Sequence, residues 1–192
     1  MRSQNDEEEV LKKYFHTTHN GRLLDIGAFD GINLSNSYAL VESGWSGVLV
    51  EASPTNFTSL VRNYPFMDSI IPVCVAVGNA TGLVTFHDSG EMVSSTDIEH
   101  VKKWSGSEWI KYHIMMVSAE NFNELFPDDF EFINVDVEGY STELFLELLP
   151  LYPSAKCWCV EHDGKIDLIR TAASMVGLKE ISSNGENIII AR

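Results

Sequence analysis

Leu24-Asp25-Ile26-Gly27-Ala28-Phe29-Asp30-Gly31 is the stretch on which the reading of the fold turns. It closes a short apolar run, 22–26, and stands before a segment of helical periodicity, 33–43. In that helix Leu34, Tyr38 and Leu40 or Val41 are expected to face inward. Gly27 permits a tight turn and close approach of a ligand to the backbone; Gly31 permits close packing at the helix start. A dinucleotide fingerprint would require glycine where Asp25 stands. A carboxylate there repels a pyrophosphate and suits a ligand carrying an ammonium or sulfonium group. The next strand, 47–51, ends in Glu51, which can accept both hydrogen bonds of a ribose diol.

Outward from this loop, strand and helix alternate. Segment 54–64 is a helix opened by Pro54, and 70–77 a third strand. The middle breaks the rhythm: 82–87 is an added strand, 94–112 is polar, and 114–118 is another strand. Strand 132–137, helix 141–149, strand 156–161 and helix 166–176 follow, and then a hairpin of 179–182 and 187–191 around Ser183-Asn184-Gly185. Before the first strand, Val10, Leu11, Tyr14 and Phe15 form an amphipathic helix capped by Asn5 or Asp6. The expected class is α/β: a doubly wound, mostly parallel sheet, with the final hairpin adding an antiparallel edge strand. The chain is read as one domain, 1–192, with an N-terminal helical extension over 1–20 and a lid segment over 88–113. In such sheets ligands sit beyond the carboxyl ends of the strands.

The 192 residues include 28 acidic and 13 basic side chains, a net charge of −15, which disfavours duplex nucleic acid and anionic membranes as partners. A hydrophobic content of 44% is too high for a disordered chain. Part of the acidic excess, at 6–9 and 128–131, is expected to be a solubilising surface. Cys74, Cys157 and Cys159 lie in apolar segments without zinc spacing and read as buried thiols of a reducing compartment. The N-terminus is acidic where a signal peptide is basic and then apolar, and no apolar run reaches the ~20 residues of a membrane span. The expectation is a soluble cytoplasmic protein acting on a small molecule, with its oligomeric state left open.

Four segments carry a family resemblance. They are the glycine loop, Ser43-Gly44-Trp45-Ser46-Gly47-Val48-Leu49-Val50-Glu51-Ala52-Ser53-Pro54, Asn134-Val135-Asp136-Val137-Glu138-Gly139 and Cys159-Val160-Glu161-His162. Over roughly residues 21–192 the chain resembles the FkbM family of S-adenosylmethionine-dependent methyltransferases. Asp-Val-Glu-Gly is the specific part; Ala52-Ser53-Pro54 departs from the Glu-Pro often found there. The resemblance implies a Rossmann-like methyltransferase sheet and S-adenosyl-L-methionine held by Asp25, Gly27, Ala28, Gly31, Glu51, Ala52 and Ala76. Ala76 would end the third strand and contact the adenine edge through its backbone. The implied reaction is O-methylation of a sugar or other small metabolite.

Asp136 and Glu138 close the fourth main strand, and Glu161 and His162 the fifth. Neighbouring strand ends would gather three carboxylates and an imidazole above the methyl group. His162, with an ordinary pKa near ~6.5, is the candidate general base. Asp136 would position the acceptor or hold the cofactor's amino group, with Glu138 and Glu161 in support. Glu138 is equally a helix-start carboxylate favoured by the dipole, and a hydrogen-bonded loop residue is the lesser reading of His162. These carboxylates with Asp163 are also compatible with a divalent cation; the spacing leaves this open, and no metal site is predicted. Trp104, Trp109 and Tyr112, with Lys102, Lys103 and Lys111, form either an aromatic-walled lid or a surface helix burying its aromatics. Ser94-Ser95-Thr96 is a candidate loop near the cofactor. A non-catalytic cofactor-binding module and a nucleotide-dependent oxidoreductase are the alternatives in function.

Overall fold

The computed structural model describes residues 2–16, 19–65, 67–89, 94–96, 101, 109–127 and 129–192. The first half runs α1 (Glu7–Phe15), β1 (Arg22–Ile26), α2 (Tyr38–Glu42), β2 (Ser46–Val50), α3 (Pro54–Asn63), β3 (Ile70–Val73), β4 (Ala76–Gly78) and β5 (Gly82–Asp88). The second runs β6 (Ile110–Ser118), α4 (Ala119–Leu125), β7 (Phe132–Val135), α5 (Ser141–Leu148), β8 (Cys157–Glu161), α6 (Ile166–Met175), β9 (Lys179–Ser183) and β10 (Asn187–Ala191). Seven strands form one sheet in the order β3-β2-β1-β7-β8-β10-β9, and three form a second in the order β4-β6-β5. The large sheet is parallel from β3 to β8, and β10 runs antiparallel to both its neighbours. No described helix is long and apolar enough to cross a membrane.

Alternation along the strands sorts the core into two layers. Leu24, Ile26, Ile133, Val135, Trp158 and Val160 face one way, against Phe122, Phe145 and Ile169 of α4 to α6. Leu23, Phe132, Cys157 and Cys159 face the other way, against Leu11, Phe15, Leu40 and Leu60 of α1 to α3. The same alternation turns Asp25 and Asn134, partners in register, toward the α1–α3 side. Their hydrogen bond lies at the carboxyl end of the sheet.

The hairpin departs from expectation. Its antiparallel strand, β10, is second from the edge, and β9 forms the edge itself. Asn-Ile-Ile-Ile-Ala in β10 is wholly buried, whereas Lys-Glu-Ile-Ser-Ser in β9 is largely exposed. A two-face apolar strand belongs inside a sheet, and charged residues suit an edge.

The helix expected over 33–43 shortens to α2. The Asp30 carboxylate accepts from the Ile32 and Asn33 N–H groups at 2.9 and 2.7 Å, a local turn that competes with helix. Leu34 then takes a positive φ of 54° and is 41% exposed instead of inward. The third strand also divides: β3 joins the large sheet, and Ala76 opens β4 in the small one. Cys74, at this break, is exposed and not buried; Cys157 and Cys159 are buried. The acidic N-terminus is not simply a solvated face either, because Glu7 and Glu8 are buried. Asp6 sits at the N-cap position without a side-chain cap bond. Glu7 instead accepts from the Asn5 N–H at 2.9 Å and from the Asn184 and Asn187 amides at 2.7 and 2.9 Å.

The turn after β1 is held between both neighbouring strands. Gly27 and Ala28 N–H donate to the Val50 carbonyl at 2.9 Å, and Asp136 N–H donates to the Ile26 carbonyl at 2.9 Å. Gly27 has φ 91°, and a Cβ on it would lie 1.6 Å from the Asp136 carbonyl oxygen. The close approach inferred for a ligand is thus made first by the chain itself. Gly27→Ala should cost about 4 kcal/mol or more, since neither backbone can withdraw without breaking the sheet. Thermal melts of the purified variant check this, and a Tm within a few degrees of the parent would contradict it.

Candidate functional site

The register brings four strand ends together: Ile26 pairs with Val50 on one side and Val135 on the other, and Val135 pairs with Val160. A cavity of about 410 Å³ opens over them. Asp25, Gly27, Ala28, Glu51, Ala52 and Ala76 line it, as do Asp136, Glu138 and Glu161. Two of the residues named from sequence do not. Gly31 lies under α3, where a Cβ would meet Tyr64 Cε2 at 2.5 Å and Leu60 Cδ1 at 2.6 Å, and its carbonyl accepts from Tyr64 Oη at 2.6 Å. It packs α3 against the loop, not the start of α2.

His162 is also off the wall. Its Nδ1 accepts from the Gly164 N–H at 3.1 Å, which leaves Nε2 protonated and donating to the Asn184 carbonyl at 3.2 Å. Nδ1 closes the loop after β8 on itself and Nε2 ties that loop to the β9–β10 turn, so no lone pair is left for an acceptor's proton.

Asp25 is 1% exposed. One oxygen accepts from Asn134 Nδ2 at 2.9 Å and the other from the Ser37 hydroxyl. Burial raises its pKa, and these two bonds oppose the rise. On the far side of β1 from Asp136, Glu51 accepts from the Phe29 N–H at 2.9 Å and the Ser53 N–H at 2.7 Å. Burial pushes its carboxyl up to about 7 against those bonds, helped by repulsion from Asp88 and Asp25.

On the other side of the turn, oxygens of Asp136, Glu138 and Glu161 lie within 4.8 Å of one another. Burial, then the charges of Glu161, Glu138 and Asp25, hold the Asp136 carboxyl well above the usual range, and it hydrogen-bonds Glu161. Glu161 is raised by burial and by Asp163, and accepts from the Ser141 hydroxyl at 2.8 Å. Crowded carboxyls of this kind share a proton. These three are also the residues that a divalent cation would use, the alternative left open by the sequence. Glu138 reaches the group through a left-handed backbone, φ 52°, and its carbonyl accepts from the Ser95 hydroxyl at 2.7 Å.

Ser94, Ser95 and Thr96, expected in a loop near the cofactor, line the cavity. Tyr112 and Lys111 do not belong to a lid or a surface helix: they lie in β6, where Tyr112 packs on Ala76, Phe86 and Ile114. Trp109 directly precedes that strand. Trp104, Lys102 and Lys103 fall outside the described residues.

Asn36, Asn134, Asn187 and Glu186 also line the cavity and were missed. Asn134 had a signal, a polar residue inside the apolar run Phe132-Ile133-Asn134-Val135. Asn36 and Asn187 had none, because only tertiary structure brings them to the wall.

A comparison with protein-family models matches residues 25–152 to the methyltransferase FkbM domain. The chain belongs to the FkbM methyltransferase family. Among solved structures it is similar to an FkbM methyltransferase from Methylobacillus flagellatus, with TM-score 0.58 and 13% identity over all of this chain and 56% of that one. The chain therefore spans little more than half of that FkbM protein. Precorrin-6y C5,15-methyltransferase from Geobacter metallireducens gives TM-score 0.57 and 10% identity over all of this chain and 90% of that one. Fibrillarin from Aeropyrum pernix, with bound S-adenosyl-L-methionine, gives 0.51 and 10% over 92% of this chain and 68% of that one. At these identities the likeness shows a shared fold. No curated protein matches in sequence.

The buried carboxyls of this FkbM domain set a pH dependence. The folded pKa of Glu51, about 7, lies above its ordinary 4.5, so between these values the folded state holds a proton that the unfolded chain has released. The resulting stability, up to about 3 kcal/mol, is present below the unfolded pKa and lost as pH rises through the folded one. Asp25, Asp136 and Glu161 are raised by burial and act in the same direction. The Tm of the ligand-free protein should fall as pH is raised from about 5 to about 8, and Glu51→Gln should flatten part of that slope. A Tm that rises across this window would contradict the assignment.

Proposed function

We propose that this methyltransferase transfers a methyl group from S-adenosyl-L-methionine to a hydroxyl of a sugar or other small metabolite. The carrying observation is the placement of carboxyls on both sides of the Gly27 turn: Glu51 at the end of β2, and Asp136 with Glu161 at the ends of β7 and β8. From β2 to β8 is three strand spacings, about 14 Å, room for an adenosyl amino acid with an acceptor hydroxyl beyond its methyl.

The wall also holds an acceptor awaiting a donor. Asp25 takes the amide N–H of Asn134, which turns Asn134 Oδ1 toward the Asn36 amide at 3.1 Å. Asn36 Oδ1 is thereby left buried without a protein partner among the described residues. It suits the cofactor's ammonium, while Glu51 takes the ribose hydroxyls and the backbone of Ala28, Ala52 and Ala76 borders the adenosine. Bound there, the cofactor supplies an electrophilic methyl group on a sulfonium.

The chain's part is to place the acceptor oxygen in line with that methyl and to receive its proton. The carboxylate member of the Asp136–Glu161 pair takes the hydroxyl proton as the new O–C bond forms and the C–S electrons stay on sulfur. A carboxyl raised toward neutrality is the stronger base for this. Residues 1–192 are read as one methyltransferase domain, because α1 completes one of the two core layers through Leu11 and Phe15.

Calorimetry with S-adenosylhomocysteine, and methyl transfer over a panel of hydroxylated small molecules, test the reading. Asp136→Asn should lower turnover at least about 100-fold and leave S-adenosylhomocysteine affinity within about threefold. His162→Gln should retain turnover within about fivefold, since its ring does not reach the acceptor. Tight binding without turnover on any acceptor would favour a non-catalytic module. Binding of a nicotinamide cofactor in its place would overturn the reading.

A further inference from the structure

The described cavity wall is lopsided in charge. Asp25, Glu51, Asp136, Glu138, Glu161 and Glu186 contribute carboxyls to it, and no lysine, arginine or histidine lines it. Asp25 and Glu51 lie at the strand ends of the cofactor side, which leaves four carboxyls beyond β7. Glu161 and Asn187 are register partners across β8 and β10. By strand alternation both share the sheet face of Cys159 and Ile189, the face on which Asp25 and Asn134 lie. Asn187 is 4% exposed, and its amide N–H groups are directed to Glu7 at 2.9 Å. A carboxylate can only accept, so this bond fixes the amide and leaves Oδ1 of Asn187, a residue of the cavity wall, buried without a protein partner among the described residues. Glu186, the preceding residue, is exposed at the same end of the cavity.

An acceptor carbonyl without a donor, set beside crowded carboxyls, asks for a ligand with N–H donors and positive charge. Among the described residues no cation on the wall compensates the charge of a phosphorylated or carboxylated acceptor, which meets the repulsion of these carboxyls. Resting on the methyltransferase reading, we propose that the acceptor is an amino alcohol whose protonated amine is held by Glu161, Asn187 Oδ1 and Glu186, next to the hydroxyl that is methylated.

The two roles of the carboxyl pair then separate. An ammonium on Glu161 offsets the negative charge crowded around Asp136, which faces the acceptor hydroxyl as its base. In the transfer, the hydroxyl oxygen bonds the methyl carbon, the C–S bond breaks with its electrons to sulfur, and the hydroxyl proton passes to Asp136. The amine stays protonated and does not compete as a nucleophile.

Protein saturated with S-adenosylhomocysteine is titrated near pH 7 with glucosamine, N-acetylglucosamine, glucose 6-phosphate and magnesium chloride. Glucosamine should bind at least about tenfold tighter than the acetylated or phosphorylated sugar. Glu161→Gln should reduce that preference below about threefold, and Glu186→Gln, on the exposed rim, should weaken glucosamine about threefold without changing N-acetylglucosamine. Thermal melts establish that each variant is folded, and the rim variant serves if Glu161→Gln does not fold. No binding of glucosamine, equal binding of the two amino sugars, or tighter binding of glucose 6-phosphate overturns the proposal. Magnesium binding that displaces glucosamine and is lost in Glu161→Gln overturns it in favour of a cation site. Failure of S-adenosylhomocysteine to bind sinks the methyltransferase reading itself, whereas its binding without an amine preference sinks only this inference.

Discussion

The contact between Gly27 and the carbonyl of Asp136 is the constraint from which the site follows. Parallel register already places the ends of β1, β2, β7 and β8 side by side. The glycine lets the chain leaving β1 pass against the neighbouring strand end without a side chain between them. Its N–H and that of Ala28 are satisfied by Val50, and the Ile26 carbonyl by Asp136, so the turn is tied to β2 and β7 together. Glu51 and Asp136 are held at fixed positions as a result, each at the end of a strand hydrogen-bonded to β1. Loops built on rigid strand ends can hold a reacting geometry that free loops cannot.

That geometry has an electrostatic consequence. Carboxyls drawn from β1, β2, β7 and β8 collect on one rim of the sheet, and the groups meeting Asp25 and Glu51 are amides, hydroxyls and N–H groups instead of cations. Neutral donors stabilise a buried carboxylate less than a paired charge does, so burial prevails and these groups are raised. The ligand-free site is thus destabilised by its own acids, a condition that a cationic ligand relieves. Pre-paid cost of this kind is a common feature of binding sites.

At the periphery, local sequence rules lost to tertiary ones in identifiable ways. The pattern at 33–43 reads as helix, but Asp30 offers the following N–H groups a competing turn. That turn frees Asn36 to reach the cavity. The acidic residues 6–9 look solvated, yet the Asn184 and Asn187 amides, almost a full chain length away, bury Glu7. His162 has the right residue type at the right strand end, and loses its candidacy because Gly164 and Asn184 occupy both nitrogens. Periodicity and motif spacing carry no information about such distant partners.

The doubly wound sheet, its alternation of strand and helix, and the strand ends at which Asp25, Glu51, Asp136 and Glu161 gather were legible in the order of residues alone. Hydrophobic period and turn glycines act locally, and parallel topology follows from them. The interior place of β10, the transfer of Ala76 to a second sheet, the removal of His162 from the wall and the arrival of Asn36 and Asn187 were decided only by tertiary structure. The last two depend on which buried polar group finds a partner, and those partners lie up to 180 residues apart in the chain.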